Sequence, residues 1–534
     1  MPKQVVNLKL DGGEYNSPRV GRYAKSVLKN MRPIVARGPS IGTNGVEVCK
    51  DVINLPQLLQ PYYSGSEAIK HARAWVYNPV DGNVYVLIGL TLWLRNSVTG
   101  NWTKFTTTDG LVLPTDVSVA SVGMATNGKT VAMVNGFIGH YLNLDTDVFE
   151  NINQLAYGFP ENLFGYSIDV VYHDGYLVYI NGENTVYHSG LVDVDNGKSI
   201  RPTDFGSTDV NFGGNNSALA SMSNYLVVMT KYSTQFFENI GAENFAFQRV
   251  STVGIGCHSA NWRVSSGDII YFVGSGPNYP FGVYSIDQTG AVKRLSTDMI
   301  DAKLVIEYSS AFKVTGTMYT YTEGGRAFLV INIMKNRLAT ATAETFGVGY
   351  TFEYDISTGV WSDRRGGSSD DRWLPLLAFP EPLPINSTTT TGGYVFLGRD
   401  PASIDSSDPD GVVHAWYIMP PYADSQTYDI SYNMICQATT NWIDGGGKSF
   451  LVTKVTVQTD GPATSYGTMR LEYSVDGVTW TQIADFSAIR KHHEFYGIGY
   501  FEDIVMFRIR NISGSIDAAF KILDITAEVE TLGD

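Results

Sequence analysis

Short runs of alternating apolar and polar residues fill most of the chain, and they end at turn-forming pairs rather than at helix caps. In TFEYDISTGVWSDRR (351–365) an apolar strand meets Ser-Thr-Gly, and a tryptophan opens the strand that follows. Related units begin near residues 74, 119, 168, 221, 262, 318 and 393. The second carries the turn pairs Asn127-Gly128 and Asn135-Gly136, which predict positive φ. Apart from the last unit the spacing is about 45–55 residues, the regime of propeller blades. A blade cannot bury both faces alone, whereas radial stacking buries them and circular closure protects the edges. The pattern therefore predicts an all-β chain with a β-propeller of about six to seven blades over 71–424. Within it, 351–365 is the third strand, turn and outer strand of a kelch-like blade, and Trp361 packs between neighbouring sheets.

Two Pro/Ser/Thr/Asp-rich stretches, 374–393 and 399–411, read as loops within an insertion around 362–415. From about 425 the texture changes. Clean alternation over 450–461, 469–486, 503–513 and 520–530, with a hairpin at Asp476-Gly477, predicts a C-terminal β-sandwich over 425–534. Only SVLKNM and VINLPQLLQ, both before residue 71, read as short helices.

Charge separates the first segment from the rest. Residues 1–50 hold nine Lys/Arg against Asp11, Glu14 and Glu47, which is +6 on a chain of net charge −15. This predicts an extended basic arm over 1–70 on an acidic body, docking on an acidic partner or on another copy, the plain alternative being a solvated flexible terminus. The acidic body is a poor neutraliser of phosphates, which argues against sequence-specific DNA binding. Cys49, Cys257 and Cys436 are too few and too scattered for a disulfide framework, which fits assembly in a reducing cytoplasm. The start MPKQVVNLKL lacks an apolar signal core, and no run of about 18 apolar residues predicts membrane insertion.

Candidate chemistry is sparse. GPSIG (38–42) matches G-x-S-x-G with Ser40 in the nucleophile position, but Pro39 precedes the serine and a turn and strand follow, so the strand-to-helix elbow is missing. Cys257 and His258 are adjacent in a strand, where neighbours face opposite ways, so packing is expected of them. His492, His493 and Glu494 have no spaced metal ligands beside them and read as a solvated loop. The clusters DVDNG (193–197) and DSSDPDG (405–411) read as turns, a structural cation being the alternative at 193–197. No catalytic, cofactor-binding or metal-ligating residue is expected, and no cofactor.

KNMRPIVARGPS near the start, YHDGYLVYINGENTVYHSGLVD followed by LASMSNYLVVMTKYSTQFFENIG in mid-chain, and SVDGVTWTQ with FRIRNISGSIDAAFKILDITAEVE near the end together resemble the packaged-DNA stabilisation proteins of short-tailed bacteriophages. The resemblance spans most of the chain and is weakest over 362–425. It implies a propeller with an appended β-domain, working as a tail hub or nozzle subunit. Such subunits form a ring, usually of six copies, below the portal and its adaptor, close the DNA channel after packaging, and anchor tail spikes, fibres or a needle. The implied place is the virion tail, assembled from subunits made in the host cytoplasm, with genomic DNA passing through the bore. Since an acidic wall repels phosphates, the chain's charge predicts a lumen poorer in Lys/Arg than the outer surface. The competing expectation is a carbohydrate-binding or carbohydrate-cleaving propeller, because SVDGVTWTQI resembles a sugar-module hairpin in which Trp480 would stack on a ligand. The plain alternative is that Trp480 packs on the sandwich.

Overall fold

The computed structural model describes residues 3–10, 28–34, 45–48, 52–54, 72–88, 91–99, 102–105, 122–136, 139–152, 167–191, 205–207, 214–298, 300–301, 304, 313–323, 325–336, 349–364, 374–380, 394–399, 413–418, 436–460, 467–487, 491–513 and 520–532. Strands dominate them, and none of their helices is long and apolar enough to cross a membrane.

Seven small antiparallel blade sheets follow one another along the chain, each with one innermost strand. These inner strands are Ala72–Tyr77, Gly123–Thr126, Ser167–His173, Asn216–Ser221, Arg263–Ser266, Lys313–Glu323 and Leu374–Pro380. Each touches the inner strand of the next sheet, and the seventh touches the first, so the sheets close into a seven-bladed propeller.

Closure explains the sequence texture. The second strands of the first, second and fourth blades, Val84–Ile88, Thr130–Val134 and Leu226–Thr230, are buried at every position because a neighbouring sheet covers each face. A strand covered on both sides reads as an apolar run, while half-covered strands alternate. In the sixth blade, Gly349–Asp355 and Val360–Arg364 are the third and outer strands, as the pattern over 351–365 predicts. Trp361 is buried in the core shared with the fifth blade and donates its indole N–H to the Leu295 carbonyl at 2.8 Å. Of the two Asn-Gly pairs only the glycines take positive φ, 91° at Gly128 and 81° at Gly136. Asn127 acts through its side chain, accepting from the Lys129 and Thr130 amides at 3.0 and 2.8 Å.

Where neighbouring blades approach most closely, side chains are excluded. A methyl group on Gly316 of the sixth blade would collide with the Trp262 indole of the fifth. Gly316→Val is therefore expected to cost about 1–3 kcal/mol through overpacking, read as a lowered urea midpoint; an unchanged midpoint would contradict this packing.

Two expectations need correction. Leu374–Pro380, read as loop, is the inner strand of the seventh blade, which therefore starts at 374 rather than 393. An inner strand is hydrogen-bonded on one side only, here to Tyr394–Arg399, so Pro375 and Pro380 are tolerated, with a register shift between Pro375 and Leu377. The second correction concerns residues 1–70. Their described parts are woven into the body as strands rather than standing out as an arm, and the two segments read as short helices contribute strands at Leu28–Lys29 and Val52–Asn54. Val52–Asn54 is the outer strand of the seventh blade, paired with Val413–Ile418, so the propeller is closed by a strand from far upstream.

Leu28–Lys29 runs parallel to the outer strand of the sixth blade (Lys29 opposite Asp363) and antiparallel to Gln437–Thr439. It thereby joins the sixth blade to the C-terminal domain in one ten-stranded sheet. That domain is a β-sandwich. One layer holds Gln437–Thr439, Thr468–Ser474, Thr481–Ser487 and Ile504–Ser513. The other holds Phe450–Asp460, His492–Phe501 and Lys521–Thr531, extended by the N-terminal strands Lys3–Asn7, Met31–Pro33 and Val46–Val48. Leu8, Leu10, Leu28, Met31 and Val46 are buried in the core between the layers beside Phe450, Phe507 and Ile525.

Candidate functional site: the propeller axis and the N-terminal clasp

Ser40 and the acidic clusters 193–197 and 405–411 lie outside the described residues. Cys257 is buried in the core between the fourth and fifth blades, its thiol donating to the Ser259 carbonyl at 3.1 Å. Burial pushes the thiol pKa up to about 12. Its neighbour His258 packs edge-on against Phe281, with burial, then Lys231, lowering its pKa to about 4. A thiol in that state is not the activated thiolate that nucleophilic chemistry needs. Iodoacetamide at pH 8 is expected to leave Cys257 unmodified in the native chain and to label it after unfolding, read by peptide mass spectrometry; native labelling would contradict its burial.

The His492-His493-Glu494 triplet, read as a solvated loop, lies on a strand instead, so its members split between faces. His493 is buried against Phe486, with ring centroids 4.5 Å apart. Glu494 shares the opposite face with His492 and accepts from Lys454 at 2.7 Å. The Lys454 and Tyr496 hydrogen bonds lower its pKa to about 2. Among the described residues no three His, Cys, Asp or Glu side chains converge as metal ligands. At the SVDGVTW hairpin, Asp476 accepts the Val478 and Thr479 amides at 2.8 and 2.7 Å, and these bonds hold its carboxyl well below the usual range. Trp480 packs beside Trp442, Ile504 and Met506, with the Arg508 guanidinium 4.1 Å from its ring centre. Trp480 is thus half-buried by packing on the sandwich, the plain alternative for this hairpin.

Two features that local sequence reading missed stand out. The first is the axis, where inner strands of all seven blades surround a cavity of about 620 Å³. Asp169, from the third blade, accepts the Leu219 amide of the fourth at 2.7 Å and the Arg263 guanidinium of the fifth at 2.6 Å. One buried carboxylate thus ties three blades, and Gly123 of the second lies so close that a methyl there would meet the Asp169 backbone at 2.8 Å. The available signal was a lone acid in the apolar strand SIDVVYH and a lone base after Trp262, which nothing local pairs.

The second feature is a clasp between the N-terminal strands and the sixth blade. Arg32 donates to Glu353 and to Glu323, each at 2.6 Å, and to the Tyr321 hydroxyl, while lying 4.1 Å from the Phe328 ring centre. Burial alone would raise the Glu353 pKa, but the Arg32 and Arg364 charges outweigh it and hold the carboxyl below its usual range. Arg326 of the same blade bridges Asp355 and Glu47. The basic N-terminal segment is thus neutralised in part within its own chain.

Among solved structures the chain is similar to a computationally designed protein, Ika8 (12% identity, 66% of this chain and 98% of that one, TM-score 0.36). It is also similar to the WD40 β-propeller domain of Doa1 (9%, 69% and 97%, TM-score 0.36) and to an exo-β-1,3-galactanase from Phanerochaete chrysosporium (10%, 79% and 98%, TM-score 0.26). Likeness at these scores carries no functional argument. No curated protein sequence matches the chain. Residues 8–351, more than half of the chain and the greater part of its propeller, match the family model Phage_stabilise, described as bacteriophage P22 Gp10, beta-propeller. The chain belongs to that family and is a phage structural protein.

Proposed function

We propose that the chain is a hub or nozzle subunit of a phage tail, assembling with copies of itself into a ring, most simply a hexamer, that extends and closes the DNA channel below the portal and adaptor. Family membership carries this reading. The architecture supports it: a propeller and a sandwich fused through one ten-stranded sheet, with the N-terminal segment clasping both, make a block suited to holding shape under load. In the ring the subunit retains the packaged genome and anchors spikes, fibres or a needle. Its work is assembly, without catalysis, cofactor or metal. Buried Cys257 and the ion pair of Glu494 agree with that reading. The excess of acidic residues suits a bore that repels phosphates and lets DNA pass unbound, so the lumen is expected to be poorer in Lys/Arg than the outer surface.

Size-exclusion chromatography with light scattering tests the reading, with the chain alone and with the adaptor ring of the same phage. Rings, or ring formation upon adding the adaptor, are expected. A chain that stays monomeric in both would overturn the reading.

A further inference from the structure

The axial cavity holds more polar chemistry than closing the propeller requires. Asp169 is occupied by the Val170 and Leu219 amides and by Arg263. Arg263 keeps a buried Nε–H with no acceptor among the described residues. The Asn261 amide and the Ser265, Thr320 and Tyr394 hydroxyls also line the cavity, and no hydrogen bond from these four side chains to another described residue is present. Trp75 and Met124 supply apolar wall. Buried polar groups are normally satisfied, so the Arg263 Nε–H, with four half-buried amide and hydroxyl groups around the same hollow left free of hydrogen-bond partners among the described residues, marks a place for a ligand or for water.

The chemistry of the lining selects the ligand. Asp169 and Arg263 are its charged residues, and together they carry no net charge. An anion entering there would lose hydration without a net opposite charge to meet it. Amide and hydroxyl groups that both donate and accept match a ligand whose own hydroxyls do the same, and an indole suits the apolar face of a sugar ring. The volume lies within the range of about 300–1,000 Å³ usual for small-molecule sites. We infer that the propeller axis is a binding site for a neutral saccharide, from one to three rings in length. This goes beyond the ring reading and rests on no part of it.

Calorimetry on the full chain tests the site with glucose, galactose, rhamnose, N-acetylglucosamine and their linear di- and trisaccharides. Acetate and inorganic phosphate serve as anionic comparators. At least one saccharide is expected to bind. Asn261→Ala is expected to weaken it about tenfold, Ser265→Tyr to abolish it by filling the hollow, and Trp480→Ala to leave it unchanged. Should Ser265→Tyr fail to fold, Asn261→Ala and Thr320→Val decide, with thermal unfolding confirming their native state. The proposal is overturned if no saccharide binds, if binding survives the cavity variants, if it is lost in Trp480→Ala, or if either anion binds more tightly than every sugar. Ring formation, followed on the same samples, is expected to be unaffected, so failure here leaves the assembly reading standing.

Discussion

A chain lacking residues 1–54 is expected to collect as aggregate rather than as a soluble monomer. The deletion strips Leu8, Leu10, Leu28, Met31 and Val46 from the sandwich core. At about 1.5–3 kcal/mol for each buried side chain, the loss is roughly 7–15 kcal/mol, comparable with the whole stability of an ordinary domain. It also exposes edges at three places: the seventh blade loses its outer strand, the sandwich loses flanking strands of one layer, and the sheet joining blade to sandwich is cut at Leu28–Lys29. Open edges pair with other chains. Adding residues 1–54 as a separate polypeptide during refolding is expected to recover soluble material. A soluble, monomeric truncation with an unchanged melting temperature would show that the N-terminal strands are ornamental.

The second large effect is expected from one side chain. Arg32→Met leaves Glu353, 1% exposed, without its closest cationic partner, Arg364 being 3.8 Å away. Removing one member of a buried ion pair typically costs about 3–5 kcal/mol because the other charge stays buried. Arg32→Lys keeps the charge but loses the forked contact to Glu353, Glu323 and Tyr321, so an intermediate loss is expected. Adding Glu353→Gln to Arg32→Met should recover part of the loss, since the stranded charge goes with its partner. Urea unfolding of the four proteins checks the series; equal midpoints for wild type and Arg32→Met would contradict the clasp.

The same cluster sets a direction in pH. Burial opposes ionisation of Glu353 and Asp355, yet the Arg32 and Arg364 charges at Glu353, and the Ser357 hydroxyl with Arg326 at Asp355, hold both below their usual values. A carboxyl depressed in the folded state contributes stability that is complete above its unfolded value, and that contribution disappears as pH falls through the folded one. Loosening of the clasp is therefore expected on acidification below the ordinary carboxylate range, near 4.5 for a glutamate. Urea midpoints measured from pH 7 downward check this, and a midpoint that rises on acidification would contradict it.

What could be read in advance followed from local pattern. Strand runs, Gly-containing turns and the position of Trp361 are set by neighbours in sequence and by burial on one or both faces, which leave a period of two or an unbroken apolar stretch. What could not be read depends on distance along the chain. Leu28–Lys29 is a strand only because Asp363 and Ala438 flank it, and Val52–Asn54 only because Trp416, Tyr417 and Ile418 lie beside it. Neither segment is long enough to show a period. Leu374–Pro380 was hidden by prolines that a central strand would reject but an axial strand accepts. Asp169 and Arg263, 94 residues apart, form a site only once the circle closes. The basic charge of the first fifty residues is real, but part of it answers acids of the sixth blade rather than those of a partner.

Cryo-electron microscopy of the assembled phage tail tests the central claim most directly. The expected density shows identical copies of this chain closed into a ring around the DNA path, each with its N-terminal strands folded into its own sandwich and seventh blade. Single copies scattered around the tail, or a ring that does not encircle the DNA path, would contradict the proposed role.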